Sequence, residues 1–566
     1  MFQKLFKPRL FETLKSYNGK QFSADFMAGI IVGIVAIPLA IAFGIASGVG
    51  PTEGLVTAII AGFIISAFGG TRVQIGGPTG AFIVIIYGII QQYGLSGLMI
   101  ATIMAGVLLL FMGVFKLGTI IKFVPYPVIV GFTGGIALTI FSTQMNDFFG
   151  LGLKDIPADF ISKWIYYFQN ISKVHWASFA VAAGSLAVII VFPKISKKIP
   201  GSLVAIILAT IAVWALKKFA GLSGITTIED LYKLPSGLPM PHLPTFALKE
   251  GQTIFSMLKD LFPPAFTIAM LGAIESLLSA MVADGVISDK HDSNTELIAQ
   301  GIANIASPIF GGIPATGAIA RTMTNINNGG RTPVAGIVHA GVLTLVLLFL
   351  GKLVGMIPMP CLAAVLVMVS YNMSGWKSFV SLAKNPKSDF AVLIVTFILT
   401  VIFDLTIAIE IGLLLALLLF LRRTNETTEI RTFKNEIDPN EESDIILHDE
   451  EKLTIPQNVT VYEIDGPYFF GIANKFEEVM SRIADRPQVR IIRMRKVAFI
   501  DSTGIHNLET LCSRSEKEKV QIVLSGVNDR VRHTLEKAGF TKVLKQEFIC
   551  SNINEALKKA EQIVNK

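Results

Sequence analysis

The sequence predicts an α-helical, polytopic membrane protein of about fourteen segments in two sets of seven, followed by a small α/β domain. Three observations predict it. Hydrophobic residues make up 52% of the 566 and charged residues only 16%, with a mean hydropathy of +0.59. No ordinary soluble chain carries that balance. The apolar residues fall into stretches long enough to span a bilayer, or to half-span it where Pro or Gly intervenes. Beyond Arg423 the composition turns abruptly polar.

Taken in order, residues 1–24 come first, and their opening run, "MFQKLFKPRLFETLKSYNGK", is too polar for a signal-peptide core and lacks a small-residue cleavage pattern. This segment is expected to be cytoplasmic. The membrane part, 25–421, holds segments near 25–48, 52–69, 78–92, 95–115, 124–146, 176–193 and 201–219. A second set follows near 261–284, 294–310, 314–326, 333–355, 357–371, 388–404 and 406–421. Those near 78 and 314 are too short or too broken to cross alone.

Positive residues test the count. With the amino terminus inside, the cytoplasmic loops hold Arg72, Lys116 with Lys122, Lys194 with Lys197 and Lys198, Arg331, and Lys377 with Lys384 and Lys387. Arg422 and Arg423 also fall inside, whereas Lys217, Lys218 and Lys352 break the pattern. Both termini are therefore expected in the cytoplasm of a multi-pass protein of the cell (inner) membrane. The net charge of +7 has this origin, so no nucleic-acid partner is expected. Cys361 lies in an apolar segment and Cys512 and Cys550 in the polar tail, which excludes a disulfide framework and places the tail in a reducing compartment.

The two sets resemble each other. "AFGG" at 67–70 followed by "GPTGAF" at 77–82 is echoed by "IFGG" at 309–312 followed by "PATGAI" at 314–319. Seven segments per unit is odd, so the second copy enters the membrane upside down. An inverted repeat with broken helices in matching places is the pattern of a secondary transporter with its site near the midplane. A half-helix started by a proline presents free N–H groups and the positive end of its dipole, and Gly80 or Gly317 lets a ligand approach the backbone. Thr79 and Thr316 add hydroxyls, Ala81 and Ala318 keep the space clear, and Arg321 adds a full positive charge. Packing of small residues alone would explain one such run, but not its duplication.

Glu275 is the only acid between Leu261 and Val282, a costly placement unless it is paired, hydrated or protonated. It reads as a coupling group for H⁺ or Na⁺, with Ser279 one turn on. Pairing with Arg321 would account for it structurally. Asp404 and Glu410 flank the last segments and read as structural. Asp284, Asp289, His291 and Asp292 read as a solvated turn rather than a metal site. No nucleophile elbow, Walker loop or zinc signature appears, so neither an enzyme nor a resident cofactor or metal is expected.

Residues 422–455, charged and poor in aromatics, read as a flexible linker. From 456 to 566, "VTVYEI", "VRIIRM" and "VQIVLSG" read as buried strands alternating with helical patterns at "ANKFEEVMSRIADR" and "GIHNLETLCSRSEKEK". In "FIDSTGIHNLETL", Ser502 and Thr503 stand at a helix start, where a hydroxyl caps the backbone or a phosphate gains from the dipole.

These motifs, with "GIVAIPLAIAFG" (33–44) and "GRTPVAGIVHA" (330–340), resemble the SulP family of sulfate permeases, and "FIDSTG" resembles the signature of that family's C-terminal STAS domain. The resemblance covers nearly the whole chain. It implies a core domain that holds the substrate, a gate domain that anchors a homodimer, and elevator-like movement of one against the other. It places Glu275 at the family's acidic position and Ser279 at the hydroxyl one turn later. Thr79, Gly80, Thr316, Gly317, Ala318 and Arg321 fall at the two helix starts, and Thr503 at the position phosphorylated in stand-alone STAS proteins. Leu39 stands where many sulfate-type members carry Gln, as in bicarbonate-type bacterial members; Glu275 stands where bicarbonate-type members usually carry Asp. The function implied is ion-coupled transport of a small anion, sulfate first, with Na⁺-coupled bicarbonate or a dicarboxylate as alternatives. A membrane-anchored STAS sensor or scaffold for an unknown cytosolic partner is the alternative of another class.

Overall fold

The structure is a computed structural model describing residues 6–565 except 120–123, 155, 158, 196–199, 220, 222–223, 233–236, 238, 243–252, 385, 404, 438–452 and 473–486. Asp404, Lys122, Lys197 and Lys198 lie outside the described residues, as does the helical pattern at 473–486. The chain divides into two compact units, residues 1–416 and 417–566.

The first unit is helical. Its elements begin with α1 (Gly19–Ala46), α2 (Pro51–Phe68), the two-residue strand β1 (Gly76–Gly77), α3 (Ile83–Val114), α4 (Tyr126–Thr143), α5 (Phe160–Gln169), α6 (Trp176–Ile195) and α7 (Gly201–Phe219). They continue with α8 (Ile254–Ile287), α9 (Ser293–Ile309), strand β2 (Thr316–Gly317), α10 (Ile319–Asn327), α11 (Val334–Phe349), α12 (Met359–Met373), α13 (Lys387–Ile402) and the first part of α14 (Leu405–Thr427), which runs on past the boundary at residue 416. Among the described residues eight helices have the length and apolarity to cross a bilayer. Together with the second half of α3 and with α9, α10, α11, α13 and α14, they cover the fourteen apolar segments read from the sequence. The segments near 78 and 95 run on as α3, broken at Gly94, whose φ of 68° and ψ of −173° no helix contains.

Local chemistry sets the starts. Asn18 caps α1 by accepting from Gln21 N–H, and Asp292 caps α9 by accepting from Asn294 and Thr295. Thr253 and Ser256 cap α8 reciprocally. Pro51 opens α2, where its missing N–H costs nothing. Helices α1, α2, α3, α8, α9, α10 and α11 pack on one another, and α4, α6, α7, α12 and α13 form a second packed group. One close approach in the first group is reciprocal. A Cβ on Gly106 of α3 would lie 2.7 Å from the Gly301 carbonyl oxygen of α9, and a Cβ on Gly301 would lie 2.7 Å from that of Gly106. Only glycine permits this contact on both sides.

The first stretch of chain, the loop after α2 and the loops flanking α9 and α11 meet at one end of this unit. Arg9 N–H donates to the Gly69 carbonyl (3.0 Å), Arg72 pairs with Asp289 (3.1 Å), and Asp25 accepts from the Arg331 N–H (2.7 Å) and the Thr332 hydroxyl (2.6 Å). The expected polar turn is thus fully used: Asp284 binds His291 (2.6 Å), Asp289 binds Arg72 and Asp292 caps a helix.

The second unit contains a five-stranded mixed sheet in the order β3 (Glu429–Phe433), β4 (Val459–Asp465), β5 (Val489–Arg493), β6 (Gln521–Ser525), β7 (Ile549–Cys550). The β3–β4 pair is antiparallel and the others are parallel. Helices α15 (Ser502–Lys517), α16 (Asp529–Lys537) and α17 (Ile553–Val564) accompany it. β3 falls inside the stretch read from composition as linker, and residues 422–427 continue α14. Glu429 and Arg431 suit an edge strand, whose charges guard against further pairing, so composition there mimics a linker. All three cysteines are free and buried, and burial, reinforced by Glu509 and Glu516, pushes the Cys512 thiol up to about 12.

Replacing Gly301 by Leu forces α3 and α9 apart. It should destabilise the protein by about 1–3 kcal/mol, read as a fall of several degrees in the melting temperature of detergent-solubilised protein; an unchanged melting temperature would refute the close crossing.

Candidate functional site

Two extended segments meet where the repeat predicted broken helices. β1 and β2 pair antiparallel, Gly76 opposite Gly317 and Gly77 opposite Thr316, and Ala318 N–H donates to the Ile75 carbonyl (2.9 Å). The chain then turns helical on both sides, through a 3₁₀ turn at Gly80–Phe82 into α3 and directly into α10 at Ile319. The expectation that a proline starts each half-helix is corrected here. Pro78 precedes the first turn by two residues, but Pro314 is separated from α10 by β2, because Thr316 and Gly317 are held extended by pairing before a helix can begin.

Side chains from α9 hold these segments. Glu296 is fully buried and accepts four hydrogen bonds: from Gly70 N–H (2.9 Å), the Thr71 hydroxyl (2.9 Å), the Gln74 amide (2.9 Å) and the Gln300 amide (3.0 Å). It fixes the turn that feeds β1. Asn304 grips Ala315 twice, donating to its carbonyl (2.8 Å) and accepting from its N–H (2.9 Å). Asn325 donates to the Val73 carbonyl (2.9 Å), and Thr322 accepts from Ile75 N–H (3.1 Å). A Cβ at Gly317 would collide with the Gln74 side chain.

Beside the paired strands lies a cavity of about 410 Å³. Of the residues singled out from the sequence, Thr79, Gly80, Glu275, Gly317, Ala318 and Arg321 line it. Gly80 and residues 318–321 belong to the first turns of the two helices, whose N–H groups have no intrahelical partner. Arg321 is 2% exposed. It donates to the Pro78 carbonyl, while its other terminal nitrogen, Nη1, has no hydrogen-bond partner. The Glu275 carboxylate accepts from the Thr79 hydroxyl (2.9 Å). No contact ion pair joins Glu275 to Arg321 among the described residues, so the two buried charges do not cancel by direct contact.

Three of the singled-out residues lie behind the lining. Ala81 is fully buried. The Thr316 hydroxyl donates to the Gly272 carbonyl (2.9 Å) and sits 2.7 Å from that of Ser276, which in turn accepts from Gly317 N–H (3.0 Å). Ser279 donates to Thr322 (3.3 Å). The hydroxyl nearest the second extended segment on α8 is therefore Ser276, one residue after the acid rather than one turn after it. Sequence reasoning also missed the opposite wall, Phe43 of α1, Thr133 of α4, and Val369, Asn372 and Met373 of α12. Thr133 and Asn372, polar side chains on apolar helices, were the available signal. In the second unit, Asp501 caps α15 by accepting from Gly504 N–H (2.8 Å). That leaves Ser502 and Thr503 exposed at its start with their hydroxyls unused.

Residues 22–396 match the sulfate permease family, and residues 452–558 match the STAS domain. The chain belongs to the sulfate permease family. It is an anion transporter and a multi-pass membrane protein, not an enzyme. Bacillus subtilis (strain 168) has a relative, YvdB, named provisionally as a sulfate transporter. The two are 43% identical over 537 residues, covering 94% of this chain and 97% of that protein. The bicarbonate transporter BicA of Picosynechococcus sp. is 30% identical over 90% of this chain and 89% of its own length. Among solved structures, murine Slc26a9, an anion transporter in the inward-facing state, superposes with a TM-score of 0.86 over 99% of this chain and 94% of that one. At 18% identity it shows the shared fold.

Glu296→Ala leaves four buried donors without their acceptor. It should cost about 3 kcal/mol or more, seen as a lowered melting temperature and faster proteolysis between residues 69 and 78; wild-type behaviour in both assays would remove Glu296 from this role.

Proposed function

We propose that this sulfate permease imports a small oxyanion, sulfate first, by secondary active transport coupled to H⁺ or Na⁺. The observation that carries the reading is the buried Arg321, whose Nη1 is unpaired beside a cavity lined by two helix first turns and one carboxylate. A buried guanidinium nitrogen left unpaired is costly, and an oxyanion seated between Nη1 and the first-turn N–H groups at Gly80 and Ile319 supplies its partner. Thr79 links the halves, since it stands at the first turn of one and hydrogen-bonds the acid on α8. The arrival of a negative ligand favours proton or cation uptake by Glu275, which makes Glu275 the coupling group.

In this reading α4 and α12 belong to the gate and the α1–α3, α8–α11 group to the core, which moves against the gate by an elevator-like displacement within a homodimer. Both termini lie in the cytoplasm, and Thr503 is a candidate for phosphorylation that recruits or releases a cytosolic partner. Na⁺-coupled bicarbonate uptake is the second reading. The relation to BicA and the presence of apolar Leu39 in the cavity lining favour it.

Uptake of radiolabelled sulfate into proteoliposomes should require a pH or Na⁺ gradient, and competition by bicarbonate at lower concentration than by sulfate would transfer the assignment to the second reading. Glu275→Gln should abolish concentrative uptake while leaving exchange; a Glu275→Gln protein that still concentrates sulfate would refute the coupling role. Arg321→Ala should weaken sulfate binding about tenfold or more, on the scale of about 1.5–3 kcal/mol for charged hydrogen bonds, and an unchanged affinity would remove it from the site.

A further inference from the structure

A second cavity, of about 450 Å³, lies farther along the helices that line the first. Tyr87 and Tyr93 of α3, Thr139 and Thr143 of α4, Asp260 of α8 and Lys163 of α5 are among its lining residues. At 1.5 Å per residue, Tyr87 stands about 10 Å from Gly80 along α3, and Thr139 about 9 Å from Thr133 along α4. Asp260 stands about 22 Å from Glu275 along α8. On α3 and α8 the displacement runs away from the end where Arg72 meets Asp289. The two cavities therefore follow one another along the same boundary between the two groups of helices.

Lys163 is the feature that needs a reason. It is 4% exposed, lines this cavity, and among the described residues forms neither a side-chain hydrogen bond nor an ion pair within contact distance. Asp159, one turn earlier, spends its carboxylate on the Ser162 N–H (2.7 Å). The position is not accidental slack in a loop. Trp164, the next residue, donates to the Ser142 hydroxyl of α4 (3.0 Å) and packs against the Phe141 ring at 6.4 Å, pinning α5 to α4. Asp159 attracts this ammonium through space but does not contact it, and a buried ammonium without a contact partner, lining a cavity large enough for a hydrated ion, is a receptor for negative charge. Asp260 shares the cavity wall and moderates the field, which suits transient capture rather than tight retention.

We propose that this cavity is a second anion site, in which Lys163 holds a small inorganic anion on its way to or from the central cavity. The proposal rests on the transport reading above, but its test is independent of turnover. In solubilised full-length protein, Thr143→Cys places a thiol in the cavity, and the three native cysteines are buried. An anionic methanethiosulfonate (sulfonatoethyl) should label this thiol about tenfold faster than a cationic one (trimethylammonioethyl). That preference should vanish in Lys163→Gln and persist in Lys163→Arg, and millimolar sulfate should slow anionic labelling only where the positive charge is kept. A labelling ratio indifferent to Lys163→Gln overturns the proposal, as does a Thr143→Cys thiol that neither reagent reaches while Gln92→Cys, also lining the cavity, reacts. In proteoliposomes Lys163→Gln should raise the KM for sulfate several-fold with kcat retained. A charge-dependent labelling ratio without any uptake would keep this site and sink the transport reading; normal uptake with a charge-blind ratio would do the reverse.

Discussion

The architecture depends on a rule of the bilayer: backbone that is not helical must find its hydrogen bonds inside the protein. Residues 75–77 and 316–318 meet it by pairing with each other, two strand residues against two. That pairing holds the chain extended where a helix would otherwise run, brings the first turns of α3 and α10 to one cavity, and sets Arg321 within reach of the Pro78 carbonyl. Charge and open N–H groups then gather at one place because the backbone was first satisfied there.

The pairing is itself held from behind by a polar stripe on α9. Glu296, Gln300, Asn304 and Ser307 fall at spacings of four, four and three, hence on one helix face, and all four are buried. Three of them reach different parts of the extended chain: Glu296 the turn before β1, Asn304 the Ala315 backbone, and Ser307 the Ile313 carbonyl (2.8 Å), while Gln300 donates to Glu296 (3.0 Å). Such a stripe is costly in lipid and pays only against another polar surface. The two extended segments and the turn before β1 supply that surface.

Much of this was legible because the bilayer imposes long apolar runs and the duplicated Pro, Thr-Gly-Ala order marks where they break. Thr79, Gly80, Gly317, Ala318, Arg321 and Glu275 could be named from that order and from the rarity of charge in apolar segments. Glu296 escaped for a physical reason: it sits in the first turn of its helix, where an acid is expected for the dipole alone. The wall made by Thr133, Asn372 and Met373 escaped because no local pattern announces it, and those residues reach the cavity only through packing of α4 and α12. The helix starts were misplaced around Pro314, since strand pairing between distant residues overrode the local preference of the proline. In the second unit the central strands showed in their apolar runs, whereas β3, at the sheet edge, carried charges that imitate loop.

Arg321 has one more property. Its Nη1 would lie 2.6 Å from a Cβ at Gly77, where the backbone φ of 145° also favours glycine. The guanidinium therefore rests against the main chain at Gly77, in space that a side chain there would take. In the transport cycle proposed above, a group so placed would not follow a departing ion, and unloading would fall to the facing wall.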